Sequence, residues 1–512
     1  MAVRHLPAAA ALLLVVPACA SSQELARNST DAPSGEEPSC SPSAQENGCA
    51  QVQPEPAIED AGSAGIGDAY FPGYGNGGYD VRHYDIGVEW FPGSEQLTGR
   101  TTLTAVADQR LSRFNLDLHL QAQEVSVNGA PATFEQAGRE LVVTPSSPLP
   151  ARSRMLVDVT YAGAPAEADL SAGESAWHLT SDGAVVAGEP EAASAWFPSN
   201  DHPRDKATFD IAVTVPDGMD VVSNGRRIAL VETAEGGVTS SWRVTDPMAT
   251  YLAYVAVGDF RFERGRTGGG VRYMYAVSEH LGDVARAAVR SLRASDDVLD
   301  VFEREFGAYP FDISGGTLAN VDFGFALENQ TRPVYSTVFF RRVNVDVISH
   351  ELAHQWFGNS VSLESWSDIW LNEGFATWAS WLYQVRAAGL RPGLAEQTLA
   401  GDLESGYRRI RDDSAFWEDP IGDPGGDSLF SGAVYFRGAM AVQALRNRMG
   451  ADGHGRLLRA WLRSHRNGNA SVDDFIALAE QVADTELDGF FDVWLYGSEV
   501  PAHTRANGFI GG

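Results

Sequence analysis

Between residue 79 and about residue 262, apolar and polar positions alternate in short runs, as in Tyr84 to Trp90, Thr101 to Ala107, Arg139 to Thr144 and Asp210 to Val215. Successive side chains of a strand point to opposite faces, so a period of two predicts half-buried strands. Pro, Gly and Asn clusters separate the runs at short intervals, which favours an antiparallel sandwich. No helical run interrupts this region. From about Val277 the period changes: Asp283 to Phe306 places apolar residues at helical spacing, and most later segments do the same. The glycine run Gly268 to Gly270 coincides with that change, so a domain boundary is expected there.

The two ends read differently. Met1 to Ala20 carries an arginine, an apolar run from Ala8 to Val16 and small residues at its close. It is too short and wrongly flanked to span a membrane and reads as an export signal. Val16-Pro17-Ala18-Cys19 resembles a bacterial lipoprotein cleavage box, so Cys19 is expected to carry a lipid on the outer face of the cell membrane; otherwise the chain is secreted. The following stretch is rich in Ser, Pro, Ala, Gly and acid, with no apolar period to offset the entropy of folding, and is expected to be a disordered tether. Cys40 and Cys49 lie in it, either as a small disulfide loop or as two free thiols.

Charge removes one class of partner. A formal net charge of −30 and a pI near 4.6 leave no basic stripe with which to neutralise phosphates, so nucleic acid is excluded. Lys206 is the only lysine, and the dominance of arginine reads as compositional bias or salt adaptation, not as a site.

The chemistry is concentrated in His350-Glu351-Leu352-Ala353-His354. Histidines four apart on a helix leave one face about a turn from each other, which suits one zinc ion, and Glu351 beside them can deprotonate a water. Glu373, with eighteen residues between it and His354, is the third ligand candidate, with Gly358 and Asn359 supplying the stop and turn between two helices. Two histidines and a glutamate leave a fourth tetrahedral position open, the catalytic pattern. The plainer alternative is a helix with two surface histidines and an unrelated Glu373. Trp356, Trp366, Trp370, Trp378 and Trp381 crowd this region at helical spacing and are expected to be core.

Phe325-Ala326-Leu327-Glu328-Asn329, the His350 to His354 motif, Glu373 and Tyr435-Phe436-Arg437-Gly438-Ala439 together resemble the zinc aminopeptidases related to aminopeptidase N, a branch of the gluzincins. Ala195 to Pro203 and Thr245 to Tyr251 extend the resemblance upstream. It implies a multidomain α+β chain: signal 1–18, tether 19–67, an N-terminal β domain 68–266, a thermolysin-like zinc peptidase domain with a helical C-terminal part 267–502, and a tail 503–512. It also implies one zinc per chain and peptide substrates with a free N-terminus. Glu328 would bind the substrate α-ammonium, with Ala326 on the same strand at the substrate. Glu189 would be a second carboxylate for the amine, Glu191 being the nearby alternative. Tyr435 would donate to the oxyanion and Arg437 would be structural. Phe325 and Leu327 replace the motif glycine and methionine, which bears on the backbone approach to substrate and the first side-chain pocket.

The mechanism so implied has Glu351 take a proton from a zinc-activated water and pass it to the departing amine, with Glu328 and Glu189 restricting the reaction to free N-termini. An endopeptidase of thermolysin type would share the zinc and the base but not need Glu328. A non-catalytic surface protein on the same fold would lack a ligand or the base. The chain has no room for a large C-terminal helical cap, so a more open cleft is expected. The carboxylate-binding arginine of the related leukotriene hydrolases is not expected.

Overall fold

The computed structural model describes residues 60–168, 170 and 175–510. The export segment, Cys19, Cys40, Cys49 and most of the tether lie outside the described residues. Residues 60–67, expected to close a disordered tether, are instead built in. Gly62 N–H donates to Arg113 O (2.8 Å) and Ser112 N–H to Asp60 O (2.8 Å). Small residues permit this, since a Cβ on Gly62 would stand 2.6 Å from Gly77 O. Asp68 then staples the segment to both halves of the molecule. Its carboxylate accepts from Tyr70 N–H and Phe71 N–H, and it pairs with His202, Ser365 Oγ and the Trp366 N–H.

An eight-stranded sheet dominates the N-terminal part. Its central strand Tyr79–Phe91 pairs antiparallel with Gln96–Ala107 and parallel with Lys206–Pro216. The sheet is therefore mixed, because the long excursion between Ala107 and Lys206 supplies the crossover that a parallel pair requires. The expected alternation is present: Ala207, Phe209, Ile211, Val213 and Val215 are buried and their neighbours half-exposed. Tyr84 stacks on Phe209 at 4.9 Å between ring centroids within the core. A smaller four-stranded sheet contains Trp177–Leu179 and Ala184–Val186, and the latter leads directly to Glu189.

The second part starts earlier than residue 267. Phe260–Arg266 pairs antiparallel with Arg272–Ser278 in a five-stranded sheet, so Gly268 to Gly270 form a hairpin turn, not a boundary. A glycine run marks a tight turn as readily as a linker, and Thr267 N–H to Val271 O (2.8 Å) closes it. Ile313–Leu318 and Val334–Tyr335 also belong to that sheet, and Ala326–Leu327 is its edge strand. From Val345 onward the chain is mostly helical. Trp356, Trp366, Trp370, Trp378 and Trp381 are all buried in the core.

Two helices that carry candidate site residues touch without side chains between them. Trp370–Ala387 contains Glu373, Gly432–Met449 contains Tyr435, and they cross at Gly374 and Gly438. A Cβ on Gly438 would stand 2.8 Å from the Gly374 Cα, and backbone cannot yield as a flexible side chain does. Gly438→Ala is expected to destabilise the fold by about 1–3 kcal/mol, seen as a lowered thermal midpoint. An unchanged midpoint would mean that the crossing is looser than this contact requires.

Candidate metal centre

Asn344 caps the helix Val345–Ala353, its side chain accepting from the N–H groups of Asp346 (3.1 Å) and Val347 (3.4 Å). The helix places His350 and His354 one turn apart, their rings 4.8 Å between centroids. Gly358, at φ 125°, turns the chain away, and the capping box of Ser365 and Asp368 starts the turn leading into the Glu373 helix. His350 Nε2 lies 3.1 Å from Glu373 Oε2 and 3.1 Å from His354 Nε2, and His354 Nε2 lies 3.6 Å from Glu373 Oε2.

Those separations fit one ion. Tetrahedral donors at about 2.0–2.1 Å from a zinc ion stand roughly 3.4 Å from one another. His354 Nδ1 is 3.1 Å from Phe357 O, a contact that places the proton on Nδ1 and leaves the Nε2 lone pair facing the other two donors. Burial alone would raise the Glu373 carboxyl, but His354 and His350 outweigh it and hold that carboxyl low. Burial would lower His354; the Glu373, Glu328 and Glu351 carboxylates outweigh that and raise it.

Three further carboxyl groups face this trio. Glu351 is buried, with Oε1 lacking a hydrogen-bond partner among the described residues. Burial raises its carboxyl, His354 opposes this, and Glu328 and Glu373 add to it. Glu328 is buried at the end of the edge strand and accepts from Tyr251 O–H (2.8 Å). Its carboxyl is raised by burial against the pull of His354. Glu189 has both carboxyl oxygens buried without a hydrogen-bond partner among the described residues. Burial raises it, followed by Glu328, Glu373 and Glu351, which places it in the same space. The charges that act on these groups are chiefly one another, Glu373 and, for Glu351 and Glu328, His354.

Glu191 points elsewhere. It pairs with Arg139 (2.5 Å) and His119 (3.0 Å) and accepts from Tyr74 O–H and Ser194 O–H. Burial would raise its carboxyl, but His119 and Arg139 hold it down to about 2. That leaves Glu189 as the carboxyl of this turn that faces the metal trio. Tyr435 is buried with its ring nearly parallel to that of His350, 5.9 Å between centroids. Arg437 lies behind it, donating to the carbonyls of Trp417, Asp419, Val493, Trp494 and Gly497. Ala326 is buried in the edge strand opposite Tyr335. Phe325, just before that strand, packs on Phe323 (4.5 Å) and faces His178 (6.1 Å) of the N-terminal part.

Some residues of the site carry no signal in the sequence. Tyr251, which holds the Glu328 carboxylate, closes the Thr245 to Tyr251 motif without any local mark of a role. Gln355 and Asn359 donate to Glu328 O at 3.0 and 2.7 Å, fixing the backbone that presents that carboxylate. Only the position of Asn359 beside the helix stop hints at this.

Comparison with known proteins agrees with this geometry. Residues 81–252 match the peptidase M1 N-terminal domain and residues 326–494 the peptidase family M1 domain. Aminopeptidase M1 of Arabidopsis thaliana is 29% identical over 331 residues, 61% of this chain and 36% of that protein. Glutamyl aminopeptidase of Mus musculus is 25% identical over 458 residues, 80% of this chain and 46% of that protein. The chain spans about a third to a half of the length of the curated relatives it matches. Among solved structures, a mutant M1 zinc metallopeptidase from Deinococcus radiodurans superposes with a TM-score of 0.74 at 28% identity, covering 85% of this chain and 99% of that one. A mutant of the same enzyme bound to a Tyr-Ser-Ala substrate gives a TM-score of 0.72. With both matched domains in family order, and a two-domain structure covered almost end to end, this chain belongs to peptidase family M1.

Proposed function

We propose that this chain is a zinc aminopeptidase that removes the first residue from peptides with a free N-terminus. One observation carries the reading: two buried carboxyl groups, Glu328 and Glu189, face a two-histidine, one-glutamate metal trio, with no arginine or lysine among the described residues paired to either. Two carboxyl groups raised by burial ionise readily only beside a cation, and a substrate ammonium supplies one near the metal.

His350, His354 and Glu373 would hold the zinc, which when bound supplies Lewis acidity toward water and the substrate carbonyl. Glu351, with one oxygen uncommitted, takes the proton of the attacking water and returns it to the departing amine. Tyr435 donates to the carbonyl oxygen as negative charge grows there, an interaction stronger in the transition state than in the ground state. Tyr251 holds one oxygen of Glu328 so that the other meets the ammonium. Ala326 offers edge-strand backbone to the peptide, as in strand addition.

The test is hydrolysis of aminoacyl chromogenic amides paired with their N-acetylated forms, with and without a zinc chelator. Chelator-sensitive cleavage of free forms only is expected. Cleavage of both forms would move the reading to an endopeptidase, and cleavage of neither to a binding protein. Glu328→Ala is expected to raise KM for free-amine substrates about 10–100-fold, the loss of a charge-assisted hydrogen bond, measured by steady-state kinetics. An equal loss on acetylated peptides would remove its anchoring role.

The chain is also proposed to be exported and lipid-anchored through Cys19, on the strength of the apolar run and the small residues before that cysteine. No helix among the described residues is long and apolar enough to cross a membrane. Cys19→Ser should move the protein from the membrane to the soluble fraction; continued membrane retention would count against acylation.

A further inference from the structure

We propose that Lys206 is a positioning residue of the site: it ties the N-terminal sheet to the loop after His354 and, through Asn359, sets where Glu328 stands. The proposal rests on the aminopeptidase reading for its kinetic arm alone.

Lys206 opens the strand Lys206–Pro216. Its Nζ donates to the carbonyls of Asn359 (2.9 Å), Ser360 (3.2 Å) and Gly468 (3.3 Å). These acceptors come from two segments that run side by side, since Val361–Leu363 pairs with Gly468–Ala470. Asn359 is the hub. Its N–H donates to His354 O (2.9 Å) and its side-chain amide to Glu328 O (2.7 Å). One ammonium thus reaches the carrier of a metal-ligand candidate and the carrier of the amine anchor through a single residue.

The choice of residue supports this. Every other strongly basic side chain in the protein is arginine. Three carbonyls converging on one point suit the three N–H groups of a compact ammonium, whereas a planar guanidinium spreads its donors in a fork. Burial pulls the ammonium down, Asp246 opposes this, and the three carbonyls give its protons their acceptors.

Because the chain has one lysine, lysine labelled with 13C at Cε gives one side-chain resonance. It is expected to shift when a chelator strips the metal. A resonance indifferent to the chelator would overturn the proposal. Lys206→Met and Lys206→Arg are both expected to raise KM for free-amine substrates by about tenfold or more per folded, metal-loaded molecule, with a smaller change in kcat. A folded variant with unchanged KM would also overturn it. Should the wild type cleave nothing, the aminopeptidase reading falls while the labelled lysine still judges the clamp.

Discussion

Replacing Glu351 with glutamine is expected to lower kcat by about 10²–10⁴-fold, with metal content and KM near their original values. The amide matches the carboxylate in size and cannot accept the proton of water. Glu351 Oε1 meets no hydrogen-bond donor among the described residues, so the substitution removes chemistry and leaves the scaffold. Steady-state kinetics with metal analysis on the same sample is the check. A variant that keeps both metal and turnover would strip Glu351 of its role as base.

The second large effect is on the metal. Glu373→Ala is expected to lose the ion and the activity together, because two histidines alone leave the trio short of a ligand and of its negative charge. The loss should extend to stability. In the native protein, chelation sets the Glu189, Glu328, Glu351 and Glu373 carboxyls against one another in a buried space, which lowers the thermal midpoint. Adding zinc back restores it, by about 4 kcal/mol when the free ion is at 1,000 times its Kd. In Glu373→Ala, added zinc should recover far less of the midpoint. Full recovery of both midpoint and activity in that variant would falsify the ligand assignment.

The parts of this site that are legible in the sequence are those set by local periodicity. His350 and His354 share a face because a helix repeats every 3.6 residues, and the turn residues after them predict a second helix bearing Glu373. Glu328 and Glu189 take their expected roles from family resemblance, since nothing in a run of strand or loop residues says which buried space a carboxylate will enter. Glu191, two residues on, is the alternative on sequence. The two are separated by Arg139 and His119, 52 and 72 residues away, which engage Glu191 and leave Glu189 among the Glu328, Glu373 and Glu351 carboxyls. Lys206 reads as a compositional accident for the same reason, as its acceptors lie 153, 154 and 262 residues on. The strand Phe260–Arg266 falls on the wrong side of the expected boundary because a glycine run looks alike whether it joins two domains or two strands.

The crossing of the Glu373 and Tyr435 helices bears on how such an enzyme can diversify. Their separation is set by Gly374 against Gly438, main chain on main chain, so no larger or smaller side chain at the contact can be exchanged to adjust it. The distance between a metal-ligand candidate and an oxyanion-donor candidate is thereby inherited as a fixed gauge. Changes in substrate preference have to be written elsewhere, in half-exposed surroundings such as Phe323 and Phe325, where a new side chain meets other side chains that can make room. Attempts to alter which peptides are accepted should therefore vary the wall beside the edge strand and leave the two glycines untouched.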